Sequence, residues 1–345
     1  MSLTNISQLL MRNQDLLIAT KPLLINMPDD NFANEILTQN PKCSLTFFDS
    51  NYANHLAHKK IAKLSHNAVF SSHYESDIKH DLVIIHFPKS KKELSLTLAM
   101  LANALTATVK ILIVGENNGG IKSLAKMSKA LLSYCDKVDS ARHCILFDVD
   151  LKPQSKPFNI NDWFDFYTVE INQQRIKVAA LPGVFSQAKL DVGTKVLLEN
   201  LPNYSSGSLL DFGCGAGVIA AFIGKNNTEI TLALTDVSAL ALASAKETLS
   251  INQLSGDVFP TDSLSNITQK YQYVISNPPF HQGIKTHYQA TESFLNGISQ
   301  HITHKGSLTI VANSFLQYLP IMEKSFTSAT KLTQQKGFAI YYASK

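Results

Sequence analysis

The 345-residue chain contains no run of about 18 consecutive apolar residues, so it offers no candidate transmembrane helix. Asparagine and glutamine interrupt its first twelve residues, where a secretory signal would need an unbroken apolar segment. The four cysteines form no Cys-x-x-Cys pair, and no histidines have the spacing of zinc ligands. We therefore expect a cytoplasmic protein without disulfides, without a metal site and without a membrane partner.

The sequence also contains few charged residues. Charged residues make up 17% of the sequence, and the net charge is only +4, which permits an RNA partner without predicting one. Hydrophobic residues make up 45%, a value typical of folded globular proteins that disfavours long disordered segments. Because a single hydrophobic core rarely extends beyond about 250 residues, the length predicts two domains.

A polar segment with two prolines, residues 151–163, separates two regions that are rich in apolar strands, and it is interpreted as a linker. The predicted domains are residues 1–155 and 156–345. In the second, short apolar strands alternate with helical segments, which is the pattern of crossover connections between parallel strands. The pattern predicts an α/β domain with a doubly wound, mainly parallel sheet.

The first half repeats this alternation of strands and helices. Residues 111–117 (Ile-Leu-Ile-Val-Gly-Glu-Asn) and 308–314 (Leu-Thr-Ile-Val-Ala-Asn-Ser) are similar, and the strands before them have comparable spacings. Similarity at the scale of a whole domain indicates an internal repeat. We interpret the two halves as a tandem duplication.

A glycine-rich turn follows the apolar strand in residues 209–217, Leu-Leu-Asp-Phe-Gly-Cys-Gly-Ala-Gly. Glycines let the backbone approach a bound nucleotide, although a tight connection without a ligand has the same pattern. Asp211 precedes Gly213, and Gly217 follows Gly215 by two residues instead of the three usual in dinucleotide-binding turns. Without a pyrophosphate to accommodate, the turn suits S-adenosylmethionine.

Two further carboxylates follow predicted strands. Asp236 ends the strand 230–236, 19 residues after Gly217, close to the distance of about 20 at which an acidic residue reaches a ribose. Asp262 comes at the next predicted strand end, where it is a candidate for contact with the adenine amino group. It equally fits a role in the turn formed by residues 260–263.

The sequence Asn-Pro-Pro-Phe at residues 277–280 follows another apolar strand. A planar amine is a poor nucleophile because its lone pair is delocalised, so methylating it requires acceptors for both N–H groups. The side-chain oxygen of Asn277 and the carbonyl of Pro278 are the candidate acceptors, and Phe280 is the candidate for stacking on a flipped base. Because the motif follows some 40 residues after an acidic strand end, it predicts methylation of an amino group.

Together these residues resemble the class I methyltransferases, and specifically the ribosomal RNA small subunit methyltransferase C family. The resemblance implies two tandem Rossmann-like class I methyltransferase domains, of which only the second binds S-adenosylmethionine. It also implies methylation of the N2 amine of a guanine in the 16S rRNA of the small ribosomal subunit. Similar segments extend over nearly the whole chain: 181–186, 190–193, 310–316, 87–91, 114–117 and 137–142.

The first half lacks the functional motifs at the corresponding positions. Residues 25–30 contain no glycine, and His-Phe-Pro-Lys at 86–89 stands where the repeat predicts the tetrapeptide. A lysine there cannot accept hydrogen bonds from an amine. The first domain is therefore predicted to be a noncatalytic partner that supports the second or contacts RNA. Its candidate phosphate contacts, which equally fit solvated surface positions, are Lys89, Lys91, Lys92, Lys122, Lys126, Lys129, Lys137 and Arg142.

Two other functions fit the motifs. Asn-Pro-Pro followed by an aromatic residue also occurs in methyltransferases of glutamine side chains in release factors. A noncatalytic ribosome-assembly factor that binds RNA and retains an inherited cofactor site is the alternative outside enzymes, although its motifs would be expected to decay as those of the first half have. We expect a monomer.

Overall fold

The computed structural model describes residues 2–62, 66–101, 104–278 and 292–345. The chain divides into two compact units, Met1–Trp163 and Phe164–Lys345. Each unit contains its own seven-stranded sheet, and a separate two-stranded sheet belongs to the second.

The first unit alternates strands and helices. Its helices are α1 (Asn5–Arg12), α2 (Phe32–Gln39), α3 (Tyr52–Ile61), α4 (Lys91–Met100) and α5 (Leu124–Leu131). Its strands are β1 (Pro22–Ile25), β2 (Thr46–Asp49), β3 (Asn67–Phe70), β4 (His80–His86), β5 (Leu105–Glu116), β6 (Leu132–Ala141) and β7 (Cys144–Leu151). The strand order is β3-β2-β1-β4-β5-β7-β6; β7 is antiparallel to both of its neighbours, β5 and β6, and the other neighbouring strands are parallel.

Both faces of this first sheet are buried. Leu23 and Ile25 of β1 point into one apolar cluster, whereas Leu24 between them belongs to a second cluster on the opposite face. In β4, Val83 belongs to the first cluster and Leu82 to the second. This is expected because successive side chains along a strand point to opposite faces. A sheet covered on both faces is what the continuous apolar runs predict.

The second unit contains the helices α6 (Val192–Glu199), α7 (Val218–Asn226), α8 (Ala239–Ile251) and α9 (Leu319–Ser325), and residues 292–297 are also helical. Its strands are β8 (Asp165–Ile171), β9 (Gln174–Ala180), β10 (Gly207–Phe212), β11 (Ile230–Asp236), β12 (Gly256–Pro260), β13 (Tyr271–Ser276), β14 (Ile302–Asn313), β15 (Ser328–Gln335) and β16 (Phe338–Ser344).

The second sheet has the same strand order as the first, β12-β11-β10-β13-β14-β16-β15. The five strands β10 to β14 are parallel, and β16 pairs antiparallel with both β14 and β15. Two doubly wound, mainly parallel sheets with one topology confirm the predicted fold class and its tandem arrangement.

A hairpin at the start of the second unit was not predicted. Its strands β8 and β9 are joined by Asn172 and Gln173, whose φ angles of 50° and 66° are those of a tight hairpin turn. The hairpin packs on α8, where Ala179 donates its backbone N–H to Thr248 Oγ1 at 3.0 Å. The alternating buried residues that could have indicated it are Val169, Ile171, Ile176 and Val178.

Candidate active site

The sheet of the second unit reverses its strand order between β10 and β13. These two strands are parallel neighbours, with Phe212 paired with Ser276, so the chain leaves both at the same edge. Gly213 follows one strand end and Asn277 follows the other. Because β11 flanks β10 and ends at Asp236, the glycine turn, Asp236 and Asn277 lie at one carboxyl edge. A switch point of this kind is where open α/β sheets bind ligands.

The glycine turn is fixed to the neighbouring strand by backbone hydrogen bonds. Gly213 and Cys214 both donate to the carbonyl of Thr235, at 2.8 and 2.9 Å. Gly213, Gly215 and Gly217 have φ angles of 70°, 53° and 75°, a region that disfavours side chains. The turn therefore requires glycine at all three predicted positions for conformational reasons.

The three glycines differ in their surroundings. A Cβ atom at Gly217 would lie 3.1 Å from the backbone of Ala245 and 3.2 Å from Leu234, so this glycine lets α7 pack closely. Among the described residues, a Cβ atom at Gly213 or Gly215 would meet nothing within 4 Å. These two residues thus leave open space at the carboxyl edge, where a ligand can approach the backbone.

Asp236 joins the end of β11 to the glycine turn. Its Oδ2 accepts a hydrogen bond from the backbone N–H of Gly215 at 3.0 Å, and its Oδ1 accepts one from Ser238 at 2.9 Å. Burial raises the pKa of this carboxyl, while these backbone donors act in the opposite direction. Each carboxylate oxygen can accept a second bond, so the group retains capacity for two ligand hydroxyls.

Asp211 is completely buried under the turn. Its Oδ2 accepts from the backbone N–H of Ala220 at 3.1 Å, whereas its Oδ1 has no hydrogen-bond partner within the described part of the chain. Burial, reinforced by the nearby charge of Asp236, raises the pKa of Asp211 to about 7. A buried oxygen without a partner in this position indicates a group that a ligand or water would satisfy.

The raised pKa of Asp211 predicts a pH-dependent stability. Between about pH 4 and pH 7 the folded protein retains a proton that the unfolded chain releases, so the free energy of unfolding falls as pH rises. Wild type should lose roughly 2 kcal/mol relative to Asp211→Asn between about pH 5 and pH 7, measured by urea unfolding. A constant difference between the two proteins would show that Asp211 is already ionised at the lower pH.

Asn277 is half-buried, and Pro278 beside it is buried. The Asn277 side chain donates through Nδ2 to Asp191 Oδ2 at 3.0 Å and to Thr194 Oγ1 at 2.8 Å. Neither Asp191 nor Thr194 was among the residues predicted for the site. Asp191 is the residue before α6. An aspartate followed three residues later by a threonine indicates the N-cap of a helix. This pattern does not indicate a contact with Asn277.

Asp262 and Phe280 are the other two residues that the sequence predicts for the site. Asp262 is exposed and follows β12, where its carbonyl accepts from Ser265 N–H at 3.1 Å within a turn. The next residue back, Thr261, donates its N–H to the carbonyl of Asp236 at 3.2 Å, so Asp262 lies near the same edge. Phe280 lies outside the described residues.

The first unit has an acidic residue at the position that corresponds to Asp236. Asp49 ends β2 and is fully buried; its Oδ2 lies 2.8 Å from His58 Nδ1, and its Oδ1 has no hydrogen-bond partner among the described residues. Asn26, at the position of the glycine turn, accepts the backbone N–H of Ser50 through its side chain at 2.7 Å. The carboxyl edge of the first sheet is thus occupied by contacts of its own side chains.

Other classes of site have no support in the described residues. No group of three or more histidine, cysteine or acidic side chains is placed there to bind a metal ion. Within the same residues, no helix is long and apolar enough to cross a membrane. Cys214 in the glycine turn is buried, and burial raises the pKa of its thiol, which agrees with a packing role.

The fold and the site at the carboxyl edge of the second sheet place the chain in the class of methyltransferases. Residues 175–342 match the family model "Methyltransferase small domain", and residues 7–167 match "Methyltransferase small domain N-terminal". A protein named ribosomal RNA small subunit methyltransferase C from Colwellia psychrerythraea is 50% identical over 99% of this chain and 98% of its own length. The protein of the same name from Pseudoalteromonas translucida is 41% identical over 98% of both chains. The chain belongs to the ribosomal RNA small subunit methyltransferase C family.

A solved structure shares the two-domain architecture. The T. thermophilus 16S rRNA N2 G1207 methyltransferase, solved in complex with AdoMet and guanosine, matches with a TM-score of 0.81 at 20% sequence identity. The match covers 96% of this chain and 91% of the other. At this level of identity the similarity establishes the fold, including both methyltransferase-like units.

Proposed function

We propose that the chain transfers a methyl group from S-adenosylmethionine to the exocyclic N2 amine of a guanine in 16S rRNA of the small ribosomal subunit. The observation that carries the proposal is the convergence of the glycine turn, Asp236 and Asn277 at one switch point. Membership of the family named above supplies the RNA substrate.

The residues at this edge fit S-adenosylmethionine. Gly213 and Gly215 leave open space beside the backbone of the turn, and Asp211 Oδ1 is a buried acceptor without a described partner. We assign the ribose hydroxyls to Asp236 and the adenine amino group to Asp262. The cofactor supplies an electrophilic methyl group when bound. Gly217 contributes indirectly, because it permits the packing of α7 that shapes the turn.

The proposed division of roles between glycines is testable by substitution. Gly217→Ala should lower the free energy of unfolding by about 2 kcal/mol, because its strained φ angle is combined with a steric clash. Gly213→Ala, whose Cβ meets no atom of the described residues within 4 Å, should cost less stability but weaken S-adenosylmethionine binding at least about tenfold. Urea unfolding and calorimetry separate the two effects. Unchanged cofactor affinity in Gly213→Ala would remove this glycine from the binding surface.

The acceptor side of the site depends on Asn277 and Pro278. The Nδ2 group of Asn277 faces Asp191 and Thr194, so its Oδ1 remains as the acceptor for one N–H of the substrate amine. The carbonyl of Pro278 is the proposed second acceptor, and proline has no N–H that could compete. Phe280 is proposed to stack on the base. Accepting both N–H bonds concentrates the nitrogen lone pair and favours its attack on a methyl group.

We assign the first domain, residues 1–155, a noncatalytic role and the catalytic role to residues 156–345. Asp49, which corresponds to Asp236, is fully buried, and its Oδ2 lies 2.8 Å from His58 Nδ1. Residues 25–30 have no glycine to admit a cofactor. The basic residues named in the sequence analysis are its candidate contacts with RNA phosphates.

The proposal is tested with labelled S-adenosylmethionine and small ribosomal subunits from cells that lack the enzyme. We expect label in the 16S rRNA, and none in subunits from cells that contain the enzyme, because their acceptor is already methylated. Transfer to the glutamine of a release factor instead would support the protein-methylation alternative. Absence of transfer to either acceptor by a protein that still binds the cofactor would support a noncatalytic assembly role.

A further inference from the structure

The amide of Asn277 uses both of its N–H groups within the protein. One hydrogen bond goes to Asp191 Oδ2 at 3.0 Å and the other to Thr194 Oγ1 at 2.8 Å. Asp191 and Thr194 lie 86 and 83 residues before Asn277 in the sequence, so these contacts come from tertiary packing. An exposed asparagine amide could turn either its oxygen or its nitrogen toward a substrate.

The chemistry of the three groups fixes the direction of these bonds. An ionised carboxylate is only an acceptor, so the atom of Asn277 that faces Asp191 must be the nitrogen. Thr194 donates its hydroxyl hydrogen to Asp191 Oδ2 at 2.7 Å and therefore offers Asn277 only an acceptor. Rotating the Asn277 amide by 180° would place its oxygen against two acceptors. This reversed orientation is excluded by electrostatic repulsion and by the loss of two hydrogen bonds.

Asp191 is itself fixed by the start of α6. Its carboxylate accepts from the backbone N–H of Gly193 at 3.1 Å and of Thr194 at 2.7 Å, as an N-cap residue does. Helix α6 packs on β14 and β16, and its residues Val196, Leu197 and Leu198 are buried. The acceptors thus belong to a rigid element of the catalytic domain.

We propose that Asp191 and Thr194 are positioning residues that hold the Asn277 amide with its oxygen toward the amine to be methylated. They act through Asn277 and not on the substrate. The inference rests on the proposed role of Asn277 as a hydrogen-bond acceptor. It assigns a function to the Leu-Asp-Val-Gly-Thr segment at 190–194 that differs from simple helix capping.

The first test compares two substitutions at position 194. Thr194→Val removes the hydroxyl with little change of shape and leaves the Asp191 cap in place, whereas Thr194→Ser retains the hydroxyl. We expect Thr194→Val to lower kcat about tenfold with the KM for small subunits and the Kd for S-adenosylmethionine within about twofold of wild type. Thr194→Ser should restore most of the rate. A purely structural role would instead change stability and the binding constants together.

The decisive test exchanges donor and acceptor between positions 191 and 277. Asn277→Asp alone places two carboxylates in contact and should reduce kcat at least about 100-fold. Adding Asp191→Asn supplies an amide donor to the new carboxylate and preserves an N-cap side chain. We expect the double variant to recover at least about tenfold in kcat over Asn277→Asp. The thermal unfolding curves and cofactor affinity of each variant are measured alongside.

The outcomes separate this inference from the proposed function. Suppose that Asn277→Ala abolishes transfer, but Thr194→Val has the wild-type kcat and the double variant is no faster than Asn277→Asp. The positioning role is then wrong and the proposed function stands. If Asn277→Ala is fully active, the assigned role of Asn277 is wrong and the inference falls with it. No recovery in a folded, cofactor-binding double variant also contradicts the inference.

Discussion

Replacing Asn277 by alanine is expected to lower the rate of methyl transfer to 16S rRNA by roughly 100- to 1,000-fold, comparable to the loss of one preorganised polar group in other active sites. The physical reason is that the variant lacks the oxygen proposed to accept an N–H of the amine. The amide does not contact the glycine turn or Asp236 through any hydrogen bond in the described residues. S-Adenosylmethionine affinity, measured by calorimetry, should therefore stay within about threefold of wild type.

The Asn277→Ala result needs a control for the contacts of Asn277 with α6. Loss of two partly buried hydrogen bonds should lower the free energy of unfolding by about 1 to 3 kcal/mol, so assays are made well below the unfolding temperature. Circular dichroism establishes that the variant remains folded. A folded variant that transfers methyl groups at the wild-type rate would contradict the assigned role.

Asp236→Ala is expected to weaken S-adenosylmethionine binding by at least about 100-fold, since hydrogen bonds to a charged acceptor contribute roughly 1.5 to 3 kcal/mol each. Two effects combine in this variant. The ribose hydroxyls lose their proposed acceptor, and the backbone N–H of Gly215 loses the partner that fixes the turn. Calorimetric titration of the cofactor measures their sum.

The first domain offers a matched control for Asp236. Asp49 ends the corresponding strand, but its carboxylate is paired with His58. Asp49→Asn should leave the affinity for S-adenosylmethionine and the stoichiometry of one site per chain unchanged. Wild-type affinity in Asp236→Ala would remove Asp236 from the ribose site, and loss of a binding site in Asp49→Asn would contradict a single cofactor domain.

The strands and the glycine turn could be predicted because their signals are local. Strands buried on both faces require continuous apolar residues, such as those of β10 and β14. The left-handed angles at Gly213, Gly215 and Gly217 require glycine, so the pattern is visible in the sequence. Crossover connections make these strands parallel, which places their carboxyl ends at a common edge of the sheet.

Contacts between distant segments could not be predicted in this way. The Asp-x-x-Thr pattern at 191–194 indicates where α6 begins, but its contact with Asn277 depends on how α6 packs against β14 and β16. No pattern in the sequence indicates a role for His58. Its pairing with Asp49 requires that α3 lies over the end of β2, which no local pattern reports.

The most direct test of the central claim identifies the product nucleoside. Small subunits from cells that lack the enzyme are methylated with labelled S-adenosylmethionine, and their 16S rRNA is digested to nucleosides and analysed by mass spectrometry. The account predicts a label in N2-methylguanosine and none after reaction with Asn277→Ala. A label in another nucleoside, or in protein alone, would contradict it.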